Sequence, residues 1–197
     1  MPRIRDSGMP SPELWQGFFD APRILEVMGC GPRDDVLEFG CGYGTFAIAA
    51  ARRVSGTVYA LDIDPVMVRA TREGAERAGL TNLVAEERDF VACGSGRPAQ
   101  SIDFAMLFNI LHAEQPVALL REAYRVLRPQ GRAAVIHWKH TDATPRGPPL
   151  EVRPRPQQCR DWALQAGFAS AREVELPNTP WHWGMLLERG GPRGAPS

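Results

Sequence analysis

Short apolar runs alternate with amphipathic stretches along the chain, a pattern that predicts βα units packed on a parallel sheet. The segments VLEF (36–39), TVYAL (57–61), LVAEER (83–88), IDFAMLF (102–108) and RAAVIHW (132–138) read as strands from their β-branched and apolar content. Helical signals lie between them. Asp64 can cap a helix that has Pro65 at its first position, and TFAIAAARRV (45–54) opens directly after a glycine-rich turn. Val117, Leu120, Tyr124 and Leu127 recur at helical spacing up to a stop signal at Pro129–Gly131.

Residues 140–157 are proline-rich, and because proline lacks an N–H and fixes φ, they predict a long surface loop. Residues 157–168 then read as a helix with Gly167 at its end, residues 170–176 as a strand and residues 181–189 as a final strand. At the front, residues 11–19 and 21–28 read as one or two short helices, with Trp15, Phe18 and Phe19 either packing in the core or closing over a site. The predicted organisation is an N-terminal helical segment over 1–32, one domain over 33–189, and a Gly- and Pro-rich flexible tail over 190–197.

With 197 residues, 44% hydrophobic and 23% charged, the composition is that of a single globular domain with a packed core. Basic and acidic residues balance at 23 each, so no broad electrostatic footprint for nucleic acid is expected. No run approaches the ~20 apolar residues of a membrane helix and the front carries no apolar leader, so a cytoplasmic protein is expected. Cys30, Cys41, Cys93 and Cys159 have no metal-type spacing and predict reduced thiols and no metal site.

The strongest chemical signal is Glu38-Phe39-Gly40-Cys41-Gly42-Tyr43-Gly44, which follows a strand and opens a helix. Glycines there permit a tight turn and let a ligand approach the backbone near a helix N-terminus. A dinucleotide fingerprint needs its third glycine at position 45, where Thr45 stands, so a nicotinamide or flavin cofactor is disfavoured. Glu38 would repel a pyrophosphate but suits a ligand carrying an ammonium or sulfonium group. Asp62, at the end of the second strand, reads as an acceptor for ribose hydroxyls or as a helix-capping or solvated residue. Asp89 reads as an acceptor for an adenine amino group or as a loop carboxylate.

In this order the elements resemble the class I S-adenosylmethionine-dependent methyltransferases across residues 33 to 139, in the small-molecule type similar to the ubiquinone- and menaquinone-biosynthesis subgroup. VLEFGCGYGTFAIAAA is similar to the family's first motif, VYALDIDPVMV to its second-strand motif, and LLREAYRVLRPQGRAAVIHW to its helix–turn–strand passage. The resemblance implies an α/β, Rossmann-like doubly wound sheet, mostly parallel with the last strand antiparallel, helices on both faces, and seven strands in all, which residues 170–176 and 181–189 complete. It implies S-adenosylmethionine as cofactor, with Gly40, Gly42 and Gly44 around its methionine part and Asp62 on its ribose. Asp89 and Phe90 would meet its adenine, and Asn109, otherwise a turn residue, would stand near its amino group.

Asn109-Ile110-Leu111-His112 departs from the Asn/Asp-Pro-Pro-aromatic motif of base methylators, which puts base methylation in doubt, and the cysteine spacing does not support arsenite methylation. The expectation is transfer of a methyl group to a small-molecule acceptor. A non-catalytic cofactor-binding module and, more remotely, a nicotinamide-dependent oxidoreductase are the alternatives. His112, His137, Lys139 and His140 gather where strands meet the expected cleft, and any of them is either a catalytic group or simply a polar residue at a strand end. His112, beside Asn109, is the first candidate for a general base.

Overall fold

The computed structural model describes residues 10–191; the expectation of a flexible tail over 190–197 falls almost wholly outside them. The sheet has seven strands in the order β3-β2-β1-β4-β5-β7-β6. These are β1 (Val36–Phe39), β2 (Val58–Asp62), β3 (Leu83–Glu87), β4 (Ile102–Phe108), β5 (Leu127–Trp138), β6 (Ser170–Val174) and β7 (His182–Glu188). The first five pair in parallel. β7 runs antiparallel to both β5 and β6. Parallel strands covered on both faces must be apolar throughout, and every residue of VLEF is buried.

Two apolar clusters lie on opposite faces. Ile24, Leu25 and Met28 from α2 (Ala21–Val27) and its cap pack with Phe46 and Ala50 of α3 (Thr45–Arg53) on one side. Leu120 and Ala123 of α6 (Pro116–Val126) pack with Cys159 and Ala163 of α7 (Pro156–Ala166) on the other. Asp64 caps α4 (Pro65–Arg77) through the Val66 amide at 2.8 Å, with Pro65 at the first helical position as its fixed φ favours. Gly167 ends α7 at φ 111°. A short α1 (Pro12–Gln16) precedes α2. Among the described residues, no helix is long and apolar enough to cross a membrane.

Beyond shifts of a few residues at element ends, three features depart from expectation. β5 begins at Leu127 rather than at Arg132: Arg128 bonds both Asp103 of β4 and Asp35 ahead of β1, and this ionic anchor holds the Pro129-containing stretch on the sheet across a register shift. The proline-rich loop contains a single 3-10 turn at Leu150–Val152. Its organiser is the buried Arg153, whose guanidinium donates to the carbonyls of Lys139, Thr141, Arg146 and Pro148 and to the Thr144 hydroxyl. Finally, α5 (Phe90–Cys93), only 4 residues long, stands where no helix is expected.

Candidate functional site

At the carboxyl ends of β1, β2 and β4 the sheet opens into a cleft lined by Glu38, Gly40, Gly42, Asp62, Phe90, Asn109 and His112, which are seven of the nine residues expected there. Doubly wound sheets place ligands at this end, where helices leave the strands for opposite faces. The other two serve as caps. Gly44 is the N-cap of α3, and Asp89 caps α5 by accepting the Ala92 amide at 3.0 Å.

The glycine loop is held from behind. The Thr71 hydroxyl of α4 donates to the Gly42 carbonyl at 2.9 Å, and Cys41 Sγ lies 3.5 Å from the same hydroxyl oxygen. Gly44 sits at φ 78°, and a Cβ there would come within 2.9 Å of Thr71 Oγ1. Gly40, at φ 75°, would drive a Cβ to 2.9 Å from Ile110 Cγ2. Left-handed backbone plus close approach leaves only glycine at both places.

Asp62 does more than the expected ribose role requires. Its two carboxylate oxygens accept the Gly42 amide at 2.8 Å and the Asp64 amide at 3.0 Å, tying the strand end to the glycine loop. A carboxylate has about four lone-pair positions, so acceptor capacity remains on the cleft side. Burial raises the Asp62 pKa, while the Asp64 and Gly42 amides oppose the shift. Glu38 is only 2% exposed and its Oε2 has no hydrogen-bond partner. Burial, reinforced by the Asp62 charge, pushes its pKa well above the usual carboxylate range. Two buried acids with raised pKa values are relieved by a cationic ligand, which would favour their ionised forms.

Asn109 adopts φ 57°, a left-handed conformation for a residue with a side chain, and its amide Oδ1 and Nδ2 are both buried without partners. Strain and two unmet polar atoms in one cleft residue mark a place built for a ligand. A turn role alone would leave those atoms unexplained. Phe90 meets Phe39 edge-on at 5.5 Å and, with Ile63 and Val91, gives the cleft an apolar wall.

The cluster at the ends of β4 and β5 separates. His112 Nδ1 lies 3.2 Å from His137 Nε2, and burial lowers the pKa of both rings. His140 turns away, its Nδ1 3.2 Å from the Arg153 carbonyl oxygen. Lys139 lines a separate open hollow beside β6 and β7. Of two further cleft residues, Trp15 was named with core packing and site closure as alternatives, and only Thr45 escapes sequence reasoning. Trp15 of α1 lines the cleft and meets Phe19 at 5.0 Å, so core packing and site lining coincide in one ring. Thr45, with a buried unpartnered hydroxyl, lines it as well, and its position just after Gly44 was the available signal.

Known proteins resemble both the chain and its fold. A methyltransferase domain family matches residues 36–131. The nocamycin O-methyltransferase of Saccharothrix syringae is 34% identical over 148 residues, 73% of this chain and 46% of that protein. A ribosomal protein L11 methyltransferase of Dechloromonas aromatica (strain RCB) is 40% identical over 101 residues, 51% of this chain and 31% of that protein. The chain thus spans less than half the length of these relatives. The crystal structure of an S-adenosylmethionine-dependent methyltransferase from Aquifex aeolicus superposes with a TM-score of 0.79 at 26% identity, covering 94% of this chain and 96% of that one. Domain match, sheet order and a likeness running almost end to end converge: the chain belongs to the class I S-adenosylmethionine-dependent methyltransferases.

Proposed function

We propose that the protein transfers the methyl group of S-adenosylmethionine in line to a small-molecule acceptor. The observation that carries this reading is the pairing, in one cleft, of a buried unpartnered carboxylate oxygen on Glu38 with the buried unpartnered amide of Asn109. Both suit the charged methionine end of the donor. Gly40 and Gly42 let it lie against the backbone, Gly44 starts the helix whose amides face it, Asp62 accepts from the ribose, and Phe90 with the capped turn at Asp89 borders the adenine. The bound donor supplies an activated methyl group on a sulfonium. What the chain adds is alignment, exclusion of water and, at His112, an acceptor for a proton.

The cleft encloses about 130 Å³, less than the ~300–1,000 Å³ of ordinary small-molecule sites. We therefore assign residues 10–32, through Trp15, the role of a lid that moves when the donor enters. A small acceptor is favoured over a polypeptide because the His112 end is walled by Phe108, Ile110, Ala113 and Leu119. The similarity to an enzyme named as an O-methyltransferase points the same way.

Calorimetry with S-adenosylmethionine, with its demethylated product and with NADH is the test. Micromolar binding of the first two, at about −8 kcal/mol, and none of NADH is expected. Absence of binding to either adenosyl ligand overturns the reading. Methyl-labelled donor incubated with metabolite extract and, separately, with ribosomal protein L11 then distinguishes a small acceptor from a protein one. No transfer to either would leave a binding module.

A further inference from the structure

Beside the ends of β5, β6 and β7 lies an open hollow of about 590 Å³ that shares no lining residue with the glycine-loop cleft. Its size falls within the ~300–1,000 Å³ of ordinary small-molecule sites. Two of its lining side chains are polar and buried, His182 at 3% and Trp183 at 7% exposed. Neither imidazole nitrogen of His182 has a hydrogen-bond partner, and neither does the indole nitrogen of Trp183. Ring rotation offers no remedy, because both rings are wedged. His182 packs on Trp138 at 4.1 Å and on Phe19 at 4.6 Å, while Trp183 stacks on His137 at 6.2 Å with 26° between ring planes. Each buried polar atom without a partner costs stability, and three of them on one hollow are accounted for by a ligand that meets them.

The charges around the hollow narrow the chemistry. Lys139, the single lysine of the chain, stands exposed past the end of β5, and Glu173 and Glu175 stand exposed at the end of β6, all three on the same hollow. Among the described residues Lys139 and Glu175 form no ion pair, and Glu173 meets Arg160 at 3.6 Å. An ammonium and an indole N–H can only donate, so they call for an oxygen-bearing anion. Two carboxylates at the same mouth repel a plain anion and call for a cation as well. A neutral imidazole, with one N–H and one lone pair, serves either. Val174, Leu176 and Pro180 add apolar surface.

We propose that this hollow is a second small-molecule site that takes a zwitterionic amino acid with an apolar side chain, its carboxylate held by Lys139 and the ring N–H groups of Trp183 and His182, its ammonium by Glu173 and Glu175. The inference goes beyond the methyl-transfer reading and does not depend on it. The wall that gives as the ligand reaches the two rings is the turn at 177–180. Asn178 is left-handed there at φ 54°, and the His182 amide donates to the Thr179 carbonyl over a long 3.3 Å.

Phenylalanine, 3-phenylpropionate and 2-phenylethylamine share one apolar group and carry both charges, the negative alone and the positive alone. Each is titrated, without methyl donor, into protein with isotope-labelled tryptophan while the indole N–H signals are followed. Phenylalanine is expected to move the Trp183 signal saturably, at about 1 mM or tighter, and more than it moves the Trp15 signal. Both analogues are expected to bind about tenfold more weakly, the cost of one hydrogen-bonded charge. Lys139→Gln is expected to narrow the preference for phenylalanine over 2-phenylethylamine severalfold, and Glu175→Gln its preference over 3-phenylpropionate. A merely structural disturbance weakens all three probes alike, and S-adenosylmethionine affinity is expected to stay unchanged in both variants. No movement of the Trp183 signal with phenylalanine or leucine overturns the proposal. A larger movement at Trp15 puts the probe in the glycine-loop cleft and overturns the second site. Equal binding of either analogue overturns the zwitterion, and preferences unmoved in both variants overturn the roles of Lys139 and Glu175.

Discussion

Asp62 accepts the Gly42 amide at 2.8 Å, so the residue expected to hold the donor's ribose also holds the glycine loop in place. Asp62→Ala removes both functions. Donor affinity is expected to fall by about 1–3 kcal/mol, the usual worth of hydrogen bonds to a charged group, and Tm to fall because the Gly42 and Asp64 amides lose their acceptor. Calorimetry well below Tm separates the two effects. A lowered Tm with full affinity would leave Asp62 as a tie between strand and loop and nothing more.

Asn109 offers the opposite separation. Its left-handed backbone and unpartnered amide both cost stability in the free protein. Asn109→Gly relieves both, so thermal unfolding is expected to show a gain of up to about 1 kcal/mol. Donor affinity is expected to drop by about 1 kcal/mol or more as a ligand hydrogen bond is lost. A variant that is more stable and binds equally well would reduce Asn109 to a turn residue.

What could be read from the chain was whatever neighbouring residues decide. The turn at Gly40, Gly42 and Gly44, the Asp64–Pro65 helix start and the Gly167 helix end depend on backbone conformations of a few consecutive residues. The early start of β5 was not legible, since Pro129 locally signals a stop and only the distant Asp35 and Asp103 override it through Arg128. The candidate site divides along the same line. Glu38 and Asp62 follow their motifs into the cleft, but that His112 would meet His137 while His140 turned to Arg153 depends on side-chain directions at the end of a completed sheet. Trp15 was ambiguous for a physical reason: one ring serves the core and the cleft together.

His182 makes a stability prediction with a definite sign. It is 3% exposed and packed against Phe19 at 4.6 Å and Trp138 at 4.1 Å, and neither ring nitrogen has a partner. Burial, aided by the charges of Lys139 and Arg153, lowers its pKa to about 3. The unfolded chain therefore binds a proton below pH ~6.5 that the folded chain refuses until about pH 3, so stability is lost as pH falls through this window. His182→Phe removes the loss. Relative to the unsubstituted protein its stability is expected to be near equal at pH 8 and higher by about 2 kcal/mol at pH 5. Carboxylates such as Glu38, with raised pKa values of opposite sign, are common to both proteins and cancel in the difference. Thermal melts at the two pH values check it, and a difference independent of pH would refute it.

The lid assignment is tested through the chain around Gly17. This residue joins α1, which carries Trp15, to the Phe18–Phe19 pair that meets Trp138 and His182. Bound demethylated donor is expected to slow chymotryptic cleavage at Trp15, Phe18 and Phe19 severalfold, since a closed segment opens less often. Equal cleavage rates with and without ligand would return the three aromatic rings to core packing alone.

The position of β7 also sets an order of assembly. In the antiparallel register His137 stands opposite Trp183, and residues 132–138 pair with residues 182–188. During synthesis β5 emerges with one edge open, β6 follows with no neighbour to join, and only β7, made after both, links them. Until then β5 presents unpaired backbone groups beside an apolar surface, the condition under which strands pair with other chains. The ring that backs His137 arrives with that same strand. A nascent chain halted before residue 182 would thus hold a complete glycine loop and Asp62, yet a histidine pair without its floor, so donor binding and proton handling should mature at different moments of synthesis.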